Sequence, residues 1–412
     1  MTKSTPRHPG SPLMFALAAG ALALAPSLAR AEDAKPPATW ASSITFGLQI
    51  EAGFTANTQK TSNNFGQLFT DKPNTILLNQ TLFTVARAVD PKETGWDVGF
   101  KLQLLGGTDA RYTHFLGEFD RASKSRYQYD IVEANVTLHA PVLTEGGIDA
   151  KVGQYSTPLG YETIDPVTNP FYSHSYIFNF GIPLKHTGGL AILHATPMID
   201  IYGGIDTGVN TSIGKKGDNN TALAGIIGAQ LTLLDGKLTV LGLSHIGAEN
   251  PSLTVPNANK YMRYLNDVAI TWKATDALTF VTELNYIHDD FAKADGGGVA
   301  QYVSYGLNEL VTLNARAEVW ADSKNFFVAA FPGNLDFVNA EFGKPSGAVS
   351  APKGGTYGAL TVGATIKPPM PAAFTGLLIR PELRYDSSMN GVKAFSGKKD
   401  ALTLATDFVL TF

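Results

Sequence analysis

The 412-residue chain contains no cysteine. Without thiols there is no disulfide framework, so the chain must be held together otherwise. It has no excess of positive charge either, with 32 Lys and Arg against 36 Asp and Glu. A nucleic-acid partner would call for a basic surface. Beyond the N-terminus there is no uninterrupted apolar stretch near the roughly 18 residues of a helical membrane span. No charged block or low-complexity linker divides the chain, and glycine and proline are spread along it. Catalytic signatures are also missing: Gly-x-Ser-x-Gly, His-Glu-x-x-His and the Walker A lysine motif do not occur. Ser173-His174-Ser175 has the residue types of a nucleophile and base, but sequence neighbours point apart in a strand. His288-Asp289-Asp290 could suggest a metal, yet an acidic loop tip is more often a solvated end. An enzyme with a cofactor or metal is therefore not expected.

What is present begins with an export signal. Lys3 and Arg7 give a positive start, Leu13 to Ala25 form an uncharged apolar run, and Ala29-Arg30-Ala31 offers small residues where a signal peptidase reads. Cleavage before Glu32 is expected. The run of 13 residues is short of the roughly 20 that a retained helix would need. Residues 1–31 thus read as signal peptide, 32–41 as a short periplasmic lead-in, and 42–412 as one unit. Removing 1–31 takes Lys3, Arg7 and Arg30 from the 32 basic residues. That leaves 29 against 36 acidic, a net charge of −7.

Mean hydropathy is close to zero, which half-apolar, half-polar strands would also average to. Ile44, Phe46, Leu48, Ile50, Ala52 and Phe54 alternate with Thr45, Gly47, Gln49, Glu51, Gly53 and Thr55. Side chains of a strand alternate between faces, so this segment has one apolar and one polar face. The same dyad runs through Trp96–Leu104, Leu377–Asp386 and Leu402–Phe412. Segments of about ten residues with this pattern mark a membrane barrel.

Sixteen candidate strands can be counted, with 14 or 18 as alternatives because the twelfth and thirteenth could be one long strand. Their gaps alternate. Long gaps fall at 56–74, 106–127, 156–186, 207–220, 248–261, 289–299, 322–355 and 387–400. Short gaps fall at 89–94, 140–147, 196–198, 234–236, 274–276, 308–309 and 367–375. Bacterial barrels have short periplasmic turns and long external loops, whereas a soluble sandwich gives no reason for such parity. The short gaps hold turn residues such as Asp90-Pro91, Asp235-Gly236 and Pro368-Pro369. Trp96 and Trp272 lie beside short gaps, where a periplasmic aromatic girdle would sit. The expected fold is a closed antiparallel transmembrane β-barrel in the outer membrane. At about 16 strands the interior is too wide for side chains to fill. A water-filled channel for small hydrophilic solutes follows, with a closed structural or adhesive barrel as the alternative.

Three segments fit poorly. Residues 75–88 do not alternate cleanly, 236–247 is apolar on both faces, and Pro381 sits mid-strand, where a bulge is expected.

Particular residues resemble the OmpL-like beta-barrel porin-2 family. They are Gly153-Gln154-Tyr155-Ser156-Thr157-Pro158-Leu159-Gly160-Tyr161-Glu162, then Phe171-Tyr172-Ser173-His174-Ser175-Tyr176, with Pro183, His186, Thr187 and Gly188 following. Gly95–Phe100, Gly106–Arg111, Arg316-Ala317-Glu318 and Arg380–Asp386 are similar to the same pattern. The resemblance covers nearly the whole mature chain and implies outer-membrane pore activity without naming a solute. The gap at 322–355 is longer than that pattern. Phe412, a terminal aromatic residue, resembles the signal read by the outer-membrane assembly machinery. Oligomeric state is left open, a homo-oligomer included.

Two groups are candidates for function. Loop 156–186 is rich in aromatics, with four prolines and both signs of charge, too aromatic for a disordered segment. It is expected to fold into the lumen and set a constriction with Tyr161, Glu162, Tyr172, His174, Tyr176, Lys185 and His186. The alternative is an external lid. The second group is charge on the polar strand faces: Asp97, Lys101, Glu133, Arg316, Glu318, Arg380, Glu382, Arg384 and Asp386, joined by Asp149, Lys151 and Asp407. Charge cannot face lipid cheaply, so these are expected to line the lumen. They would either create a transverse field that selects by charge or pair with one another as a rigid wall. The net charge of −7 predicts a weak preference for cations.

Overall fold

The computed structural model describes residues 39–412 apart from 60, 91–94, 121, 124, 215–216 and 329–353. The expected signal peptide, most of the lead-in at 32–41 and most of the gap at 322–355 lie outside the described residues. Sixteen antiparallel strands form one closed barrel in sequence order. They are β1 (Thr45–Asn57), β2 (Ile76–Arg87), β3 (Asp97–Gly107), β4 (Gln128–Ala140), β5 (Ile148–Ser156), β6 (Lys185–Thr196), β7 (Ile199–Asp206) and β8 (Ala224–Leu233). Then follow β9 (Leu238–Ala248), β10 (Met262–Lys273), β11 (Leu278–Asp289), β12 (Ala294–Gly306), β13 (Val311–Asp322), β14 (Gly355–Ile366), β15 (Gly376–Ser388) and β16 (Asp400–Thr411). No described helix is long and apolar enough to cross a membrane.

Closure is made by β1 and β16, which pair from Gln49↔Thr411 to Asn57↔Thr403. Lipid offers no hydrogen bonds to a strand edge, so a sheet survives there only without one. Along each strand the apolar alternates face outward: Phe46 is 72% exposed, Val152 65% and Leu404 59%. At the short-turn end, Trp272 stacks on Phe280 with ring centroids 5.6 Å apart. There too Phe374 meets the terminal Phe412 at 5.2 Å. Trp40, just before β1, donates its indole N–H to the Val98 carbonyl at 2.8 Å.

The poorly alternating segments each have a cause. In 75–88, Gln80 pairs with Glu51 and Leu78 with Ala52, so Asn79 is an extra residue in a β-bulge. In 236–247, Leu243 faces inward and joins the buried cluster that holds Leu159, Ile182 and Leu184 of the loop after β5. At Pro381 the expected bulge is absent. Pairing with β14 lapses opposite Ala364 and Thr365, then resumes at Ile366↔Ile379 in the same register, while pairing with β16 is unbroken.

Strands β12 and β13 are separate, which fixes the count at sixteen. The long gap expected at 289–299 is corrected to residues 290–293. Its three glycines, Gly296 to Gly298, belong to β12, and Gly298 lies opposite the fully buried Trp320. A Cβ on Gly298 would come within 2.2 Å of the Val319 carbonyl oxygen. Gly298 thus serves a close approach inside the sheet.

The face assignment is testable. Leu404→Arg places a charge on the lipid face at the middle of β16 and should cost about 2–4 kcal/mol. Guanidinium titration of the protein folded into lipid vesicles measures this, and an unchanged midpoint would contradict the assignment.

Candidate functional site: a charged wall and an inward loop

Because strand side chains alternate, charges two residues apart share the inner face. Arg380, Glu382, Arg384 and Asp386 of β15 do so, with Arg316 and Glu318 of β13, Asp407 of β16 and Glu51 of β1. Arg316 Nε lies 3.1 Å from Glu318 Oε1, and Arg384 Nη1 lies 3.2 Å from the same oxygen. Arg384 Nη2 is 2.8 Å from Asp386 Oδ1. Arg380 binds Asp407 and reaches Glu51 Oε1 at 3.2 Å. The result is a continuous wall of alternating charge.

Loop 3, residues 157–184, lies against this wall. Regular structure in it is limited to a 3-10 turn at Pro166–Thr168, capped by Asp165, and a π turn at Ile177–Gly181. Most of its residues are buried and only Thr163, Val167 and Thr168 are exposed, and buried peptide groups need partners other than water. The wall supplies them. Arg316 Nη1 donates to the Ser173 carbonyl at 2.8 Å, Arg384 Nη1 to that of His174 at 2.8 Å. Arg380 Nη1 donates to those of Pro166 and Asn169 at 2.6 and 2.7 Å. In return Glu382 Oε2 accepts from the N–H groups of Tyr172 and Ser173. Glu318 Oε2 accepts from that of Tyr176 at 2.7 Å.

Glu162 is the loop's own anchor. Its Oε1 takes Arg316 Nη1 at 2.7 Å and Tyr302 Oη at 3.1 Å. Its Oε2 takes the Ser175 N–H at 3.0 Å and pairs with His174 Nδ1 at 2.8 Å. Burial pushes this carboxyl up, but Arg316 and His174 outweigh burial and hold it down at about 2. The aromatic residues finish the docking. Tyr172 donates its hydroxyl to Asn79 Oδ1 at 2.8 Å and Tyr176 to Asp386 Oδ1 at 3.1 Å. The Tyr176 ring stacks on Tyr357 at 5.6 Å.

Of the loop residues singled out in the sequence, Tyr161, Glu162, Tyr172, His174 and Tyr176 come together here. Lys185 and His186 do not. Both belong to β6, where Lys185 Nζ binds the Asp130 carboxylate and the Ile131 carbonyl. Arg316, Glu318, Arg380, Glu382, Arg384 and Asp386 share the inner face, but all are covered by the loop and at most 5% exposed. They face peptide groups and one another instead of open water. Asp97, Lys101 and Glu133 lie apart on β3 and β4: Asp97 pairs with Arg87 at 2.8 Å and Lys101 with Glu133 at 3.5 Å. Ser173 and Ser175 spend their hydroxyls on Arg316 and on the Phe178 N–H. His288 pairs with Asp295 and Asp290 at a partly exposed position.

The sequence reading missed the folding-in of two more loops. In loop 1 (58–75) Phe65, Leu68 and Phe69 are buried, and Phe69 meets His174 edge-on at 4.9 Å. In loop 2 (108–127) Arg111 and Arg126 both bind Asp71 of loop 1, at 3.1 and 2.7 Å. The density of aromatic and aliphatic residues in these loops was the available signal, since solvated loops rarely carry so many.

A closed sixteen-strand barrel with an inward third loop defines a porin-type outer-membrane protein. Residues 43–412 match the family model described as "Putative beta-barrel porin-2, OmpL-like", and the chain belongs to that family. Its fold is similar to OmpF of Salmonella typhi, at TM-score 0.57 and 9% identity, covering 90% of this chain and 97% of that one. It is similar to the anion-selective porin of Comamonas acidovorans, at 0.55 and 9%, covering 90% and 99%. The outer membrane channel DcaP of Acinetobacter baumannii gives 0.53 and 11%, covering 90% and 97%. No curated protein sequence matches the chain. Family and fold point to a channel of the outer membrane and away from an enzyme.

Removing one member of the network should undock the loop. Arg316→Met takes one ionic partner from each of the buried Glu162 and Glu318, which keep only His174 and Arg384, at a cost near the lower end of about 3–5 kcal/mol. New proteolytic cuts within 157–184, in a barrel that still shifts on heating in gel electrophoresis, are expected. Full protease resistance would contradict the anchoring role.

Proposed function

We propose that the protein is a loop-constricted diffusion channel for small hydrophilic solutes. The observation that carries this reading is the one-sided anchoring of loop 3. Its hydrogen bonds go to the inner faces of β11 to β15 and of β1 and β2, while some polar groups on β3 and β5 to β7 keep partial exposure. These include Lys101, Asp149, His194 and Asp200, with side chains 38%, 20%, 32% and 23% exposed. A solute would pass between them and the loop, and Tyr161, Glu162, Tyr172, His174 and Tyr176 would bound the constriction. In this reading residues 1–31 are removed on export, 32–41 lead in from the periplasm, and the short turns face the periplasm. Phe412 is read by the assembly machinery.

Planar-bilayer recording of the refolded mature protein tests the reading. Stable ohmic steps are expected, and deletion of 165–180 should raise their size. Unchanged conductance in the deletion would sink the constriction.

The wall also bears on selectivity. Three guanidinium groups face six carboxylates, those of Glu51, Glu162, Glu318, Glu382, Asp386 and Asp407. This excess and the net charge of the mature chain favour cations. The reversal potential in a salt gradient should lie on the cation side, and a clear anion preference would refute this.

A closed barrel is the second reading. It is favoured by the packing of residues from loops 1, 2 and 3 into one buried apolar cluster. A correctly folded, heat-modifiable protein without conductance would establish it.

A further inference from the structure

A second polar cluster lies across the barrel from Arg380. His186 of β6, Asp206 of β7 and His245 of β9 are each at most 1% exposed. Their donor atoms lie within 4.8 Å of one another. His245 Nε2 is 3.0 Å from Asp206 Oδ1, and His186 Nδ1 is 3.3 Å from Asp206 Oδ2. Despite that proximity, His186 Nδ1 and Asp206 Oδ2 have no hydrogen-bond partner. Buried polar atoms are rarely left so.

The surroundings are built to bring these groups together. Asp206 is flanked in register by Gly188 on β6 and Ala224 on β8. A Cβ on Gly188 would come within 2.8 Å of the Asp206 Cβ, so both neighbours must be small. The His186 imidazole is oriented through its other nitrogen, Nε2, which bonds Thr157 Oγ1 at 3.0 Å. His245 Nδ1 faces Glu249 Oε1 at 3.7 Å, beyond hydrogen-bond distance, and Glu249 is held by the Val209 N–H at 2.8 Å. A metal-bound histidine is held as His186 is, by a hydroxyl or carboxylate on the nitrogen away from the ion.

We propose that His186 Nδ1, His245 Nε2 and the Asp206 carboxylate bind one divalent transition-metal ion of the zinc class. A tetrahedral ion with bonds of about 2.1 Å sets its donors roughly 3.4 Å apart; here the imidazoles meet different Asp206 oxygens at 3.0 and 3.3 Å and the donor set spans up to 4.8 Å, so the groups close in on the ion when it binds. Two imidazoles and one carboxylate are a borderline donor set suited to zinc and its neighbours. Calcium and magnesium require six or more oxygens. The ion ties together the roots of three loops. Thr157 opens loop 3, Asp206 precedes the loop 207–223, and Glu249 opens the loop 249–261.

The mature protein is refolded into detergent with excess ZnCl2, desalted, and its zinc counted by inductively coupled plasma mass spectrometry. One zinc per chain is expected, falling at least tenfold in His245→Ala. It should persist in His194→Ala and His288→Ala, whose imidazoles meet carboxylates at partly exposed positions. Loss of zinc in those two instead, or equal zinc in His245→Ala, would overturn the site. If His245→Ala does not refold, Glu249→Gln and cobalt-loaded wild type decide. Visible d–d bands of tetrahedral Co2+ support the site when Glu249→Gln shifts them. Their absence leaves only a hydrogen-bonded His–Asp–His triad.

Discussion

The twenty-eight residues of loop 3 have almost no ladder of their own, and most of them are buried, so their peptide groups must largely be satisfied away from bulk water. The wall of β13, β15, β16 and β1 exists in this form because of that demand. Three guanidinium groups reach four carbonyls of the loop. Glu318 and Glu382 take N–H groups from Tyr172, Ser173 and Tyr176. The dependence is mutual. A buried ion pair is favourable only when its remaining donors and acceptors are also filled, and the loop backbone fills them. Neither the wall nor the loop is a stable arrangement alone.

The barrel's inner face is chemically divided, and the division orients the loop. Facing the charged wall from the other side is a patch of Tyr155, Leu190 and Ile226, with Ile192 and Tyr202 packed against it. Such a patch offers few donors or acceptors to a peptide group, and the polar groups on that side, Lys185 with Asp130 and His186 and His245 with Asp206, are buried facing one another. Were the loop docked there, its carbonyls and N–H groups would go unpaired and the wall's charges would lose half their partners. Electrostatics therefore selects one side of the lumen, and apolar contacts such as Phe69 against Phe178 add area without choosing direction.

The alternation of β1, β15 and β16 is visible in the sequence because one face meets lipid and tolerates only apolar residues. The parity of long and short connections is visible for the same reason, since strand lengths are set by a membrane of fixed thickness. Tyr161, Glu162, Tyr172, His174 and Tyr176 stand out as aromatic and charged residues in a loop too long to be idle. What sequence could not carry is pairing across the barrel. Glu162 and Arg316 are 154 positions apart, and nothing local marks them as partners. Lys185 and His186 fall at the end of the gap expected at 156–186, yet β6 starts at Lys185, whose charge Asp130 takes up. Gly296 to Gly298 fall within the gap expected at 289–299, although Gly298 takes its place in β12 opposite Trp320.

A segment that alternates poorly is also where the three inward loops meet one strand, and the two facts have one cause. Strict alternation brings only every second side chain to the lumen. The bulge at Asn79 breaks that rule and turns two successive amides, Asn79 and Gln80, inward, both at most 1% exposed. Asn79 holds the Phe69 carbonyl of loop 1, Asp109 of loop 2 and the Tyr172 hydroxyl of loop 3. Gln80 holds Asp109 and the Ile164 carbonyl. A regular strand would present one of these amides and turn the other toward lipid. Across β3, a second bulge at Val132 lets Val132 and Glu133 both lie buried. Departures from the dyad pattern in a membrane barrel of this kind are thus positions where the lumen needs more contacts than one face of a strand can give.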